Sequence, residues 1–237
     1  MKLTKFFFLA SAMMLSAVYS FGQTADEIIS KSIEAVGGKD LISKINSIYT
    51  ESTAQIMGND APVITTILNG KGFKSETEFN GSKIVQALNE KGGWMINPMA
   101  GVTTAQALPD EQYKASKDQM YIGGELFNYA DNGGRAELLG KDGDLYKIKI
   151  TASDSSSTTY FIDPVTYLVA KALKEGDMMG QKVEITISFS DYQKTDFGFV
   201  MAHKIETNMG ENFSFSTTVN KVEINKEIDP KIFDMPQ

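Results

Sequence analysis

Lys182-Val183-Glu184-Ile185-Thr186-Ile187-Ser188-Phe189 alternates polar and apolar side chains without a break. A period of two sends Val183, Ile185, Ile187 and Phe189 to one face of an extended strand and the polar residues to the other. That is the signature of a sheet wet on one side and packed on the other. Phe73, Ser75, Thr77 and Phe79 alternate with Lys74, Glu76 and Glu78 in the same way, and the pattern persists from Ile48 almost to the C-terminus. Turn residues punctuate it at Gly58 to Asp60, Asn69 to Gly72, Asn80 to Ser82, Asp142 to Asp144, Asp163 to Thr166, Gly176 to Gly180 and Gln193 to Gly198. Connections this short join antiparallel neighbours. The polar run Ser153 to Thr159 reads as a hairpin tip leading into a strand over Tyr160 to Asp163.

Two segments depart from the alternation. Thr24 and Glu27 have capping-box spacing ahead of Ile29, Ile33 and Val36, which recur on one helical face before Gly37-Gly38 stops the helix. Asp40 can cap a second short helix using Leu41, Ile42 and Ile45, so residues 23–46 read as a helical hairpin that needs a surface to cover. Residues 97–132 form a long interruption, with Pro109-Asp110 opening a helix through Gln112 to Tyr121. It reads as a lid or, equally, as a surface crossover.

Ahead of the hairpin, Lys2 and Lys5 precede an apolar run from Phe6 to Val18, and Ser20 and Gly22 occupy the positions a signal peptidase reads. This predicts a signal peptide over 1–22, a mature chain from Gln23 as one domain, and an exported, periplasmic protein with no stable membrane insertion, because the run is too short to span a bilayer. There is no cysteine, so disulfides, thiolate chemistry and lipidation are excluded. The formal net charge of −7 becomes more negative once Lys2 and Lys5 are lost, which argues against nucleic acid as a partner.

A long antiparallel sheet must curl, and two or three short helices cannot fill its concave side as a packed core would. The expected architecture is mainly β with a few helices, with an apolar cavity between sheet and helices. Candidate lining residues are Tyr49, Phe73, Phe79, Trp94, Ile96, Phe161, Val183, Ile185, Phe189, Phe213 and Phe215. A simply filled core is the alternative for each of them. The 12 methionines suit either a variable greasy ligand or gap-filling.

Three stretches carry a resemblance. Gly93-Trp94-Met95-Ile96-Asn97-Pro98 leads into the helical insertion, Tyr160-Phe161-Ile162-Asp163-Pro164 runs into Tyr167-Leu168-Val169, and the chain closes on Ile232-Phe233-Asp234-Met235-Pro236. With the helical hairpin they resemble the LolA-like outer-membrane lipoprotein carriers over nearly the whole mature chain. The resemblance implies an incompletely closed antiparallel β-barrel with helices plugging its open side. It also implies a non-enzymatic carrier of lipoprotein acyl chains or other lipid, working between an inner-membrane donor and an outer-membrane acceptor. In the family's chaperone member an arginine on an early strand ties the lid to the sheet. Here the only arginine is Arg135, so that latch is absent or built differently.

Nothing in the sequence calls for a cofactor or metal. His203 is the sole histidine and has no second histidine or cysteine to build a zinc site or a nucleophilic pair. Asp163, Asp191 and Asp196 fall at turns, where aspartate serves local hydrogen bonding. Gly92-Gly93, Gly123-Gly124 and Gly133-Gly134 lack the lysine and helix of a phosphate loop. A carboxylate-dependent hydrolase and an envelope interaction module with a filled core remain as alternatives.

Overall fold

The computed structural model describes residues 23–178, 181–210 and 213–236. The expected signal peptide over 1–22 lies outside them. Two helices come first, α1 (Ala25–Ala35) and α2 (Lys39–Ile42), followed by β1 (Ser47–Ile56), β2 (Asn59–Leu68), β3 (Gly72–Phe79), β4 (Ser82–Asn89), β5 (Gly92–Asn97) and β6 (Val102–Ala107). The helices α3 (Asp110–Ser116) and α4 (Gly124–Asn128) flank a 3-10 turn at Lys117–Met120. The remaining strands are β7 (Arg135–Asp142), β8 (Leu145–Thr151), β9 (Ser157–Ile162), β10 (Val169–Met178), β11 (Gln181–Lys194), β12 (Val200–Met209) and β13 (Phe213–Ile224), and a 3-10 turn at Pro230–Phe233 ends the chain.

All of the strands belong to one antiparallel sheet, in the order β6-β5-β4-β3-β2-β1-β13-β12-β11-β10-β9-β8-β7. Each hairpin is local; the long-range step is the pairing of β1 with β13, which welds the two halves. The sheet curls without closing, since β6 and β7 remain as edges. The expected curled, unclosed antiparallel sheet with a few helices is therefore met.

The capping box forms as read: Glu27 N donates to Thr24 Oγ1 at 3.2 Å and Thr24 N donates to Glu27 Oε2 at 2.9 Å. Such caps contribute on the order of 1 kcal/mol. Ile28, Ile29 and Ile33 of α1 then bury against Ile148, Ile150 and Ile162. Gly37 and Gly38 take φ of 128° and 82°, which residues with a Cβ rarely adopt, and so stop the helix. Val36 and Ile45 pack on Ile48 and Phe199, with Val222 and Ile224 alongside.

Two expectations need correction. Residues 97–132 are not wholly helical and loop, because β6 lies inside them and pairs with β5; its weakly apolar Val102-Thr103-Thr104-Ala105-Gln106-Ala107 gives little alternation to read. The helix expected over Gln112 to Tyr121 stops at Ser116 and tightens into the 3-10 turn that buries Met120.

The C-terminal turn covers the face of β3–β5 opposite the helices. Phe233, 1% exposed, sits directly on Gly72, where an added Cβ would stand 2.4 Å from its ring. Trp94 Nε1 donates to Phe233 O at 2.9 Å and Asn89 Nδ2 to Asp234 Oδ1 at 3.2 Å.

Candidate functional site

Ile148 lies under α1 and marks the helix-covered face of the sheet. From it the register runs through Tyr160, Ala172, Ile187, Thr207 and Phe215 to Ile56, so these residues share that face. Alternation along β1 from Ile48, which packs under Val36, arrives at the same Ile56.

Seven of the candidate lining residues fall on this face. Phe73 is core, packed with Leu88 and Met120, and Phe79 is buried close to the small Ala54 and Ala61. Val183, Ile185 and Phe189 on β11, with Phe213 and Phe215 on β13, are only half-buried and belong to none of the clusters that the helices cover. Ile187, Ile205 and Met209, absent from the candidate set although the same alternation exposes them to the same reading, complete the strip. Gly176 leaves room for Ile185, whose Cδ1 would lie 2.3 Å from a Cβ there. The strip runs from the helix-packed end of β11–β13 toward the turns at Met57-Gly58 and Gly210.

The other four candidates lie on the opposite face and correct the expectation. Tyr49 pairs with Glu223 and Thr66, and its ring carries the ammonium of Lys226 at 3.6 Å. Trp94 and Ile96 pair with Ala87 and Val85 and pack with them, under the C-terminal turn at Trp94. Phe161 is buried between Lys171 and Lys147, whose ammonium groups stand 4.0 and 5.7 Å from its ring. A period of two cannot say which face is which.

Residues 108–134 cross the open side and are tied to the turns of the sheet. Gly70 N donates to Met120 O at 2.9 Å, Ile122 N to Asn69 Oδ1 at 3.1 Å, and Asn69 Nδ2 to Ile45 O at 3.3 Å. Tyr113 Oη donates to Asn89 O at 2.8 Å and Tyr129 Oη to Asp26 Oδ1. The enclosed space beside this crossing is about 10 Å³, lined by Lys117, Asp118, Glu125 and Tyr129 among others, which is room for about one water. The apolar strip is thus an open trough rather than part of that cavity. A separate hollow of about 320 Å³ lies near the Met57-Gly58 turn, lined by Gln55, Glu206, Asn208, Ser214 and Ser216 of the opposite face together with Met57 and Phe215.

No family model and no curated protein matches the sequence. Solved structures do match the fold. A LolA superfamily protein from Nitrosomonas europaea superposes with a TM-score of 0.60 at 12% identity, over 90% of this chain and 98% of that one. The chain has the LolA-like fold. A DUF1329 family protein from Desulfovibrio piger gives 0.58 at 14% identity, over 90% and 98% of the two chains. A domain from Vibrio parahaemolyticus described as outer membrane lipoprotein-sorting gives 0.56 at 14%, over 89% and 97%.

In this chain the crossing is held without an early-strand arginine. Asn69, in the β2–β3 turn, bridges the helical hairpin and the crossing through two side-chain hydrogen bonds. Asn69→Ala would leave the Ile122 N–H unpaired at a cost of about 1–3 kcal/mol. Amide exchange at Ile122 is expected to speed up while α1 keeps its protection; unchanged exchange at Ile122 would show that Asn69 is not the tie.

Glu125 of α4 faces the sheet and accepts from Tyr160 Oη at 3.3 Å. Desolvation raises its pKa from the ordinary value of 4.5, Thr158 opposes that rise by hydrogen bonding, and the nearby Asp118 carboxylate adds to it. Asp118 is itself raised, chiefly by burial, and Lys174 faces both. A carboxyl raised in the folded state contributes stability that is full below its unfolded pKa and lost as pH rises through the folded one. Glu125→Gln is therefore expected to raise the melting temperature at pH 7 and to flatten its rise between pH 7 and pH 4.5. A variant less stable than the parent at pH 7 would contradict this.

Among the described residues no helix is long and apolar enough to cross a membrane, and no group of three His, Cys, Asp or Glu could hold a metal.

Proposed function

We propose that the chain is a non-enzymatic periplasmic carrier that takes acyl chains of lipoproteins or other lipids into the trough on β11–β13 and moves them toward the outer membrane. One observation carries the reading: Ile185, Ile187, Phe189, Ile205, Phe213 and Phe215 share the helix-covered face, remain half-exposed and belong to none of the clusters that the helices cover. Contiguous apolar surface left open in a folded chain marks a binding surface. The described names of the solved relatives, a LolA superfamily protein and an outer membrane lipoprotein-sorting domain, favour the same class of ligand. Burying acyl chains gains about 0.8 kcal/mol per methylene, enough for firm but reversible binding.

Thermal unfolding of residues 23–237 with added palmitic acid tests it. At a hundredfold excess over Kd, ligand binding adds about 2.7 kcal/mol, or roughly 5–10 °C in a chain of this size. A melting temperature indifferent to the fatty acid would instead favour an interaction module.

A further inference from the structure

At the inner end of the apolar strip one buried polar atom is left unsatisfied by the rest of the chain. Among the described residues only Ser32 Oγ and His203 Nε2 are fully buried side-chain polar atoms without a hydrogen-bond partner. Ser32 belongs to the packed side of α1. His203 lies on β12 between Met201 and Ile205, on the face that Ile205 shares with Phe189 of β11 and Thr217 of β13. Continuing the register from the Lys204–Thr218 pair places Val219 beside it, and Val219 pairs in turn with Ser52 of β1.

Its neighbours along the strand and on β13 are apolar, and the flanking pairs Ser190–Lys204 and Tyr192–Ala202 set Asp191 of β11 across from it, yet Nε2 has no partner. An imidazole nitrogen seeks one hydrogen bond in either tautomer, and burying it unpaired carries a desolvation cost that no group of this chain offsets. Leucine or valine at 203 would fill the same space without that cost. Near it the helix-covered face holds further buried polar residues, Thr50, Ser52 and Thr207, each less than 10% exposed. Thr50 and Ser52 lie toward the inner end of the apolar strip and Thr207 within it, between Ile187 and Phe215, while the strip itself runs on through Ile205, Phe215 and Phe213 toward the turns.

We infer that His203 Nε2 pairs with the carbonyl end of the bound acyl compound, with the hydrocarbon chain extending along β11–β13 from there. This rests on the carrier reading and adds to it a fixed orientation and a chemical requirement, a carbonyl group at the head of the chain. A free fatty acid and an acyl ester share that chemistry.

Because His203 is the only histidine, its ring signals in a nitrogen–proton NMR spectrum report on this site alone. The chain would be titrated separately with palmitic acid, 1-palmitoylglycerol and hexadecane. The expected result is a displaced imidazole signal with the acid, the ester or both, whichever responds identifying the source, and none with the alkane. His203→Leu is expected to weaken binding of the responding compound about tenfold, to leave hexadecane binding unchanged, and to melt no lower than the parent when empty. Palmitoyl compounds that bind without moving the imidazole signal, or bind His203→Leu as tightly as the parent, would overturn the role of His203 and leave the carrier reading intact. Failure of all three compounds to bind would remove both.

Discussion

Phe233→Ala is expected to destabilise the fold by about 3–5 kcal/mol, the range for deleting a buried phenylalanine ring, and to lower the melting temperature by roughly 10 °C. The ring is almost wholly buried and fits over Gly72 because that position has no side chain. Its removal also loosens the backbone carbonyl that accepts from Trp94 Nε1. Trp94 is the only tryptophan, so its emission reports the event directly: a red shift at temperatures below global unfolding is expected as the C-terminal turn lifts from β3–β5. Gly72→Val should reproduce the phenotype from the other side of the contact. A loss below about 1 kcal/mol with unshifted emission would mean that the turn is an ornament on a sheet stable without it.

The second large effect concerns the trough. Phe215→Lys should abolish acyl binding, weakening it more than a hundredfold, because an ammonium facing a buried hydrocarbon chain costs several kcal/mol. The fold should survive, since Phe215 is half-exposed and outside the helix-covered clusters. Ile64→Lys is the matched control: Ile64 is 38% exposed on the opposite face, where it pairs with Glu51 and Glu76. Fluorescent fatty-acid titration of both variants separates the faces. Equal loss in the two would refute the assignment of the trough to the helix-covered face.

How much of this was legible in the sequence differs from element to element. The first helix was readable to within a residue because its signals are local: Thr24 and Glu27 bond each other across three positions, and Gly37-Gly38 takes up backbone angles that glycine tolerates best. The strands were readable for the same reason, as in the unbroken alternation around Ile185. Which face the helices cover was not readable, since it is set by contacts such as Ile28 with Ile148, more than a hundred residues apart. Trp94 and Ile96 look like ligand-facing residues only until the C-terminal turn is seen to lie over Trp94, and the sole local trace of that contact is a glycine at 72. The tie through Asn69 was hidden similarly: an Asn-Gly pair announces a turn, but not that its amide will also hold Ile45 and Ile122. Of the candidate site, the alternation of β11 and β13 delivered the strip, while the pairing of those strands with β12, which brings His203 into it, is visible only in three dimensions.

The central claim, that the trough carries acyl chains, is tested most directly by native mass spectrometry with lipid extraction on residues 23–237, purified in exported form without detergent. The account predicts a population heavier than the bare chain by the mass of an acyl compound, released by organic extraction and absent from Phe215→Lys. A bare mass that stays unchanged after incubation with lipid would contradict it.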